Sequence, residues 1–265
     1  MKKLPVSVFI ITLNEEERLP KALQSVIEWV DEVIVIDSGS TDKTKEIAES
    51  FGAKVIHNDW QGFGPQKIFG ESKCRNKWIL NIDADEEVSN KLKDKIFNLF
   101  DSGEPQYAAY KMYWKLVFFT QETPPSIAVG SDFIRLYNKQ KAGFRDSSIH
   151  DSVILKQGFE NEKIGEIKNA FIYHRSFKSM KHWADKINYY TTLQAEEWFE
   201  KGRKQPSTFR IIIEPIFSFV KAYFVRKYIF YGIDGFLGSL MYTHSKVLRL
   251  AKVREKFRLN RTNSH

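Results

Sequence analysis

The stretch "WILNIDADEEV", Trp78 to Val88, decides the fold. Its first half is apolar and reads as a strand buried on both faces. Its second half holds Asp83, Asp85, Glu86 and Glu87, four acids within five positions. Carboxylates this close raise one another's proton affinity unless a cation lies between them. Mg2+ or Mn2+ meets that need with one or two carboxylates and leaves its remaining positions to water and phosphate oxygens. Alternation along an extended chain turns Asp83 and Asp85 to the same side. By itself Asp-x-Asp also suits a solvated acidic loop, or an Asp85 that caps a helix over "EEVSNKLKDKIFNLF".

Upstream, the chain alternates strand and helix patterns. "VSVFIITL" (Val6–Leu13) is β-branched and aromatic, fit for a central strand. Leu19, Leu23, Val26, Ile27 and Val30 fall at helical spacing after it. Glu32–Ile36 is a second buried strand that ends in Asp37 and the turn "DSGSTDKT". "TKEIAESFG" is a helix closed by Gly52, "AKVIHN" a third strand, and "WQGFGPQKIFG" a loop opening a helix. This alternation predicts a parallel sheet with right-handed crossovers, whose ligands lie beyond the carboxyl ends of the strands. Thr12/Asn14/Glu15, Asp37/Ser38/Asp42 and Asp83/Asp85 therefore share one edge. An acid at the position of Asp37 suits a ribose hydroxyl or a base edge.

After Lys91 the pattern changes. Tyr107–Phe119, Asp132–Asn138, Val153–Leu155 and "EIKNAFIYHRSF" read as strands of an antiparallel region, and the signal beyond Lys178 is mostly helical. The chain lacks G-x-G-x-x-G and G-x-x-x-x-G-K-[ST], so neither a dinucleotide fingerprint nor a P-loop is supported. One cysteine, Cys74, rules out an internal disulfide and a thiolate zinc site. The net charge of +8 is uneven. Residues 201–265 hold 14 Lys and Arg against 3 acids, over a mildly acidic body.

Four stretches carry a resemblance: "VSVFIITLNEEERLPKALQSV", "VDEVIVIDSGSTDKTKEIAESFGAKV", "GFGPQKIFG" and "WILNIDADEEV". Together, in this order, they resemble the inverting GT-A glycosyltransferases of family 2, and most of all the branch that includes the lipopolysaccharide inner-core β-glucosyltransferases. The likeness is dense over residues 1–90 and continues in pieces to about residue 250.

The resemblance implies an α/β GT-A fold, a Rossmann-like mixed sheet flanked by helices, with a C-terminal helical extension at a membrane interface. The expected domains are residues 1–177, with a nucleotide-sugar half at 1–100 and an acceptor half at 101–177, followed by a helical region at 178–265. It implies a UDP-sugar donor, UDP-glucose above all, and a divalent metal, Mg2+ or Mn2+. Thr12, Asn14 and Glu15 are expected to line the nucleotide pocket and Asp37 to contact uridine, with Asp42 in the same turn. Lys67 is expected at the diphosphate, Asp83 near the donor sugar or ribose, and Asp85 on the metal together with His174. Asp151 is the expected base, with His150 beside it and Asp146 the competing carboxylate. Gly130 and Asp132 fall on the acceptor side. Arg135 is read as pairing with an acid on the sheet surface and is left out of the site.

The tail from Glu214 to Leu259 interleaves aromatic and aliphatic residues with nine Lys and Arg, and Gly232, Gly235 and Gly238 divide two helical halves. It reads as an interfacial hairpin on an anionic bilayer, or alternatively as a core helix pair with a solvated basic face. The expected location is the cytoplasmic side, peripheral at the inner face of the membrane, with a lipid-linked saccharide as acceptor. No nucleic-acid motif accompanies the charge, so no nucleic-acid partner is expected. The alternatives are a non-catalytic nucleotide-sugar-binding protein on a transferase fold and a nucleotidyltransferase. The latter wants a Gly-rich basic loop where this chain has "TLNEEERLP".

Overall fold

The computed structural model describes residues 3–145 and 152–262. The chain divides into two compact units, Met1–Leu116 with Gly130–Ser176, and Val117–Val129 with Phe177–His265.

The first unit opens with the alternation the sequence predicts: β1 (Leu4–Thr12), α1 (Leu19–Gln24), β2 (Val30–Asp37), α2 (Thr44–Ser50), β3 (Lys54–His57), α3 (Phe63–Lys73) and β4 (Trp78–Asn81). It continues with β5 (Glu86–Val88), α4 (Asn90–Phe100), β6 (Ala109–Leu116), β7 (Gly130–Asn138), β8 (Ala142–Phe144), β9 (Val153–Leu155) and β10 (Gly165–His174). Eight strands form one mixed sheet in the order β3-β2-β1-β4-β7-β6-β10-β5, while β8 and β9 form a separate ribbon. β1 to β4 run parallel, and β7 enters antiparallel between β4 and β6. The first helix is shorter than its periodicity suggested: it ends at Gln24, residues 25–29 form turns, and Val30 already begins β2.

Both faces of the central strands are buried, which is why these segments are continuous apolar runs. Val6, Val8 and Ile10 of β1 join one core with Leu19, Leu23 and Trp29. Phe9 and Ile11 turn to the other face, where they meet Ile34, Ile36 and Ile79. Burial of each such side chain contributes about 1.5–3 kcal/mol. α3 lies close to that second face because residue 70 is glycine. A Cβ there would stand 2.6 Å from Phe9 Cδ2.

Register then fixes the site edge. Thr12 pairs with Asp37 across β1 and β2, and Phe9 with Asn81 across β1 and β4. At the far side of the sheet His174 of β10 pairs with Glu86 of β5. Ser89, not Asp85, caps α4, its hydroxyl accepting the Leu92 N–H at 3.3 Å. The helix-cap explanation of the acidic cluster is thereby set aside.

The second unit contains α5 (Met180–Glu200), α6 (Thr208–Val220), a π turn (Lys221–Val225), a 3-10 turn (Tyr228–Tyr231) and α7 (Gly232–Thr262). Phe118 packs its ring against Trp183, Tyr228 and Tyr231. The break between the helices differs from the expected glycine spacer. It lies at Lys227 and Gly232, both left-handed with φ of 65° and 62°. Gly235 and Gly238 sit inside α7, where a Cβ would strike Tyr228 O at 1.8 Å and Phe118 Cζ at 2.7 Å. The basic residues of distal α7 turn onto α5: Lys252 Nζ donates to Asn188 O and Thr192 Oγ1, each at 2.7 Å, and Lys256 faces Glu196 at 3.6 Å. Among the described residues no helix is long and apolar enough to cross a membrane.

Candidate active site

The carboxyl edge of β1, β2 and β4 gathers the expected residues. Asp37 is fully buried at the end of β2. Its Oδ1 accepts the N–H groups of Gly39 at 3.0 Å and Ser40 at 2.9 Å. Its Oδ2 accepts Thr12 Oγ1 at 3.3 Å and the Ser40 hydroxyl. The carboxylate thus shapes the Gly/Ser turn that follows it. Asn14 adopts a left-handed conformation with φ of 56°. Its Oδ1 accepts the Thr41 N–H at 2.9 Å, and its own N–H donates to Ser40 Oγ at 2.9 Å. Asp42 fastens the same two loops, accepting from Thr44 N at 3.0 Å and Glu16 N at 3.2 Å. Glu15 faces Arg18, with Oε2 at 2.8 Å from Nε.

Lys67 is buried on α3, one turn before Gly70, and its ammonium stands 2.8 Å from Asp83 Oδ1. The other Asp83 oxygen lies 3.3 Å from Arg135 Nη2. Burial raises the affinity of Asp83 for a proton, but Lys67 and Arg135 outweigh it and hold this carboxyl well below the usual range. Arg135 is not a surface residue. It is buried on β7, donates to Asn81 Oδ1 at 2.9 Å and meets the buried Glu86 at 2.5 Å. Burial pushes the Glu86 carboxyl up, and Arg135 opposes it.

Asp85 and His174, far apart in sequence, are brought together by the pairing of β5 with β10. His174 Nε2 lies 3.3 Å from Asp85 Oδ2, and Arg18 Nη1 approaches the same oxygen to 3.2 Å. Burial disfavours charge on both partners, yet the attraction prevails: Asp85 is lowered and His174 raised. The Trp114 ring meets the His174 ring edge-on at 4.8 Å.

A cleft of about 350 Å³ opens over these groups, lined among others by Asp83, Glu86, Trp114, Asp132, Arg135 and His174. A larger cleft, about 1070 Å³, lies at Leu4 and Trp78, the amino ends of β1 and β4, away from the edge where such sheets bind ligands. Asp132 lies opposite Tyr113 in the β6–β7 pairing. Gly130 is required by packing, since a Cβ would stand 1.9 Å from Trp114 O. His150, Asp151 and Asp146 lie outside the described residues, while Ser152 and Val153 line the cleft.

Among the described residues no group of three or more His, Cys, Asp or Glu side chains forms a metal cage. Asp85 Oδ2 and His174 Nε2 form a two-ligand half-site of oxygen and nitrogen. That fits a cation shared between protein and phosphate oxygens.

Sequence reasoning missed Arg18, Glu86, Trp114 and Arg135. The one available signal was charge: an arginine inside the strand pattern "DFIRLYN" needs a buried partner.

A mixed sheet whose parallel strands gather acids, a buried lysine and a cleft at their carboxyl edge has the arrangement of an α/β enzyme that binds its ligand there. The model of the family "Glycosyl transferase family 2" matches residues 7–167. The chain belongs to that family and is a glycosyltransferase with a GT-A-like mixed sheet. It is 42% identical over 261 residues to an uncharacterized glycosyltransferase of Rickettsia typhi, covering 96% of this chain and 88% of that protein. It is 27% identical over 263 residues to the lipopolysaccharide core biosynthesis glycosyltransferase LpsC of Rhizobium meliloti, covering 97% and 94%. Among solved structures, S. aureus TarS 1-349 is similar with a TM-score of 0.44 and 16% identity, covering 98% of this chain and 92% of that one. Glucosyl-3-phosphoglycerate synthase of Mycobacterium tuberculosis, solved with Mn2+, UDP and glucosyl-3-phosphoglycerate, is similar with a TM-score of 0.32 and 26% identity over 43% of each chain.

Proposed function

We propose that this transferase moves a hexose, glucose from UDP-glucose in the first instance, onto a lipid-linked saccharide with inversion at the anomeric carbon. The observation that carries this reading is the convergence of the Lys67–Asp83 and Asp85–His174 pairs at one strand edge. The likeness to LpsC, a lipopolysaccharide core biosynthesis glycosyltransferase, supports an acceptor in the lipopolysaccharide core. Within that reading the acceptor is a core heptose and the enzyme works at the inner face of the cytoplasmic membrane.

In this reading the Asp37 turn, with Thr12, Asn14 and Glu15, receives the uridine. Asp37 acts through the backbone it holds, because both of its oxygens are engaged. Asp83 faces the donor sugar or ribose, and Lys67 lies within reach of the diphosphate. Asp85 and His174 would hold Mg2+ or Mn2+, whose charge offsets that of the departing diphosphate. The acceptor hydroxyl attacks the anomeric carbon, a new C–O bond forms, and the bond to the diphosphate oxygen breaks with its electron pair leaving on UDP. Asp151 takes the hydroxyl proton, with His150 at its side. Asp132 and Gly130 belong to the acceptor side.

Calorimetric titration with UDP and UDP-glucose, in Mn2+ and in EDTA, tests the donor half. UDP binding strengthened by Mn2+ is the expected result, and no binding of either ligand under both conditions overturns it. Transfer of labelled glucose from UDP-glucose to heptose-terminated lipopolysaccharide tests the acceptor. No incorporation by protein that binds UDP discards that acceptor and leaves the donor assignment standing.

A further inference from the structure

α6 is amphipathic in the reverse sense. Phe209, Ile212, Ile213, Ile216, Phe217 and Val220 recur at the spacing of one helix face. On a helix packed in water that face turns to the core. Here it turns outward: Phe209 is 74% exposed, Ile212 67%, Ile216 64% and Phe217 62%. The opposite side mixes Ile211 and Phe219 with Glu214, Pro215 and Ser218, all of them less exposed. Ser218 and Ala222 are buried, and Ser218 Oγ donates to Glu214 Oε1 at 2.8 Å.

The pattern does not stop with the helix. Phe224 and Val225 in the π turn, and Ile229 and Phe230 in the 3-10 turn, are exposed as well. Ile233, Phe236, Leu237 and Leu240 then repeat the outward stripe on the first turns of α7. Phe236 joins the two helices, its ring lying 5.6 Å from that of Phe219. A run of apolar side chains this long, uncovered on a soluble surface, marks an interaction face.

Charge decides the occupant. Lys221, Arg226 and Lys227 are exposed along this run, and no acid occurs between Glu214 and Asp234. A second copy docked by two-fold symmetry sets such a cationic patch near itself. A bilayer with anionic headgroups complements the apolar face and the charge together. Since no described helix is fit to cross a membrane, the element lies in the interface plane.

We propose that α6, the two turns and the start of α7 form a foot that sinks its apolar face into an anionic bilayer, with Arg226 and Lys227 at the headgroup phosphates. The assignment deepens the membrane position of the proposed function and rests on that part of it, while UDP binding and transfer are tested separately.

The test is flotation of the full-length protein with vesicles of phosphatidylcholine alone or mixed with phosphatidylglycerol. Wild type is expected to float with the mixed vesicles and less with the neutral ones. Ile212→Glu/Ile216→Glu changes two exposed positions and is expected to lower flotation about tenfold or more, with circular dichroism and melting temperature unchanged. Arg226→Glu/Lys227→Glu is expected to remove the preference for anionic lipid. Wild type that fails to float, or an Ile212→Glu/Ile216→Glu variant that floats as well as wild type, overturns the proposal. So does sedimentation, without vesicles, as a dimer that the same variant makes monomeric, because the face then belongs to a second copy.

Discussion

Arg135 reaches across the sheet to Glu86, its Nη2 lying 2.5 Å from a carboxylate oxygen that is almost wholly buried. Removal of one member of a buried pair leaves the other charged and alone, which costs about 3–5 kcal/mol. Arg135→Met is therefore expected to lower the unfolding free energy by that order in urea titration. Arg135→Met/Glu86→Gln removes the orphaned charge and is expected to recover most of the loss. A double variant no more stable than Arg135→Met shows that the pair does not act as a unit.

Asp85→Ala takes away the carboxylate that Arg18 and His174 share. Metal-dependent turnover is expected to disappear while far-UV circular dichroism stays native. Near-normal turnover in Mn2+ removes Asp85 from the cation site.

Asp151→Asn keeps the size of the side chain and removes its basicity. Transfer is expected to fall about 10²-fold or more, with UDP affinity little changed. A larger fall in Asp146→Asn moves the base to that carboxylate, and a loss confined to UDP affinity moves Asp151 to the nucleotide side.

Gly70→Ala drives a methyl group to 2.6 Å from the buried Phe9 ring. Overpacking of this kind costs about 1–3 kcal/mol. Because Lys67 sits one turn away on the same helix face, UDP affinity is expected to fall along with stability. Phe9→Leu in the same chain makes room and is expected to restore both. An unaltered melting temperature in Gly70→Ala shows that α3 shifts without cost.

Burial pushes the Cys74 thiol up to about 12. In the unfolded chain a thiol ionises near 8.5. The raised folded value means that this group's stabilisation is complete below that unfolded pKa and is lost as pH climbs from it toward 12. Cys74→Ala is expected to flatten the alkaline slope of stability. Ellman's reagent at pH 8 is expected to label wild type only as fast as it unfolds, and prompt labelling of folded protein contradicts this burial.

The succession of strands and helices over the first ninety residues was legible because each βα unit carries its signal locally: an apolar run, a turn, an amphipathic stretch. Asp37, Asp83 and Asp85 could be placed on one edge for the same reason. Arg135 was read as paired with an acid, but neither the particular acid nor the burial of the pair could be assigned. Its partners Asn81 and Glu86 are set by the register of β7 on β4 and by the path of the chain after β4, neither of which is written in a short window. The meeting of His174 with Asp85 depends likewise on β10 pairing with β5. For α6 the apolar composition after Glu214 was plain, but composition is blind to which side of a helix meets water. Only the packed structure turned Ser218 inward and Phe217 out.

The place of β10 in the sheet has a consequence for synthesis. Among the described residues β5 pairs with β10 alone, at the end of the sheet order, so a nascent chain carries Asp85 well before that sheet neighbour exists. At roughly 5–20 residues per second, the ribosome needs on the order of 5–20 s to travel from Asp85 to His174. During that interval the Thr12 and Asp37 loops are already translated, but the Asp85–His174 contact cannot form. The Asp85–His174 contact therefore arrives with one late strand, and a chain released before it carries both β5 and its acids without that contact.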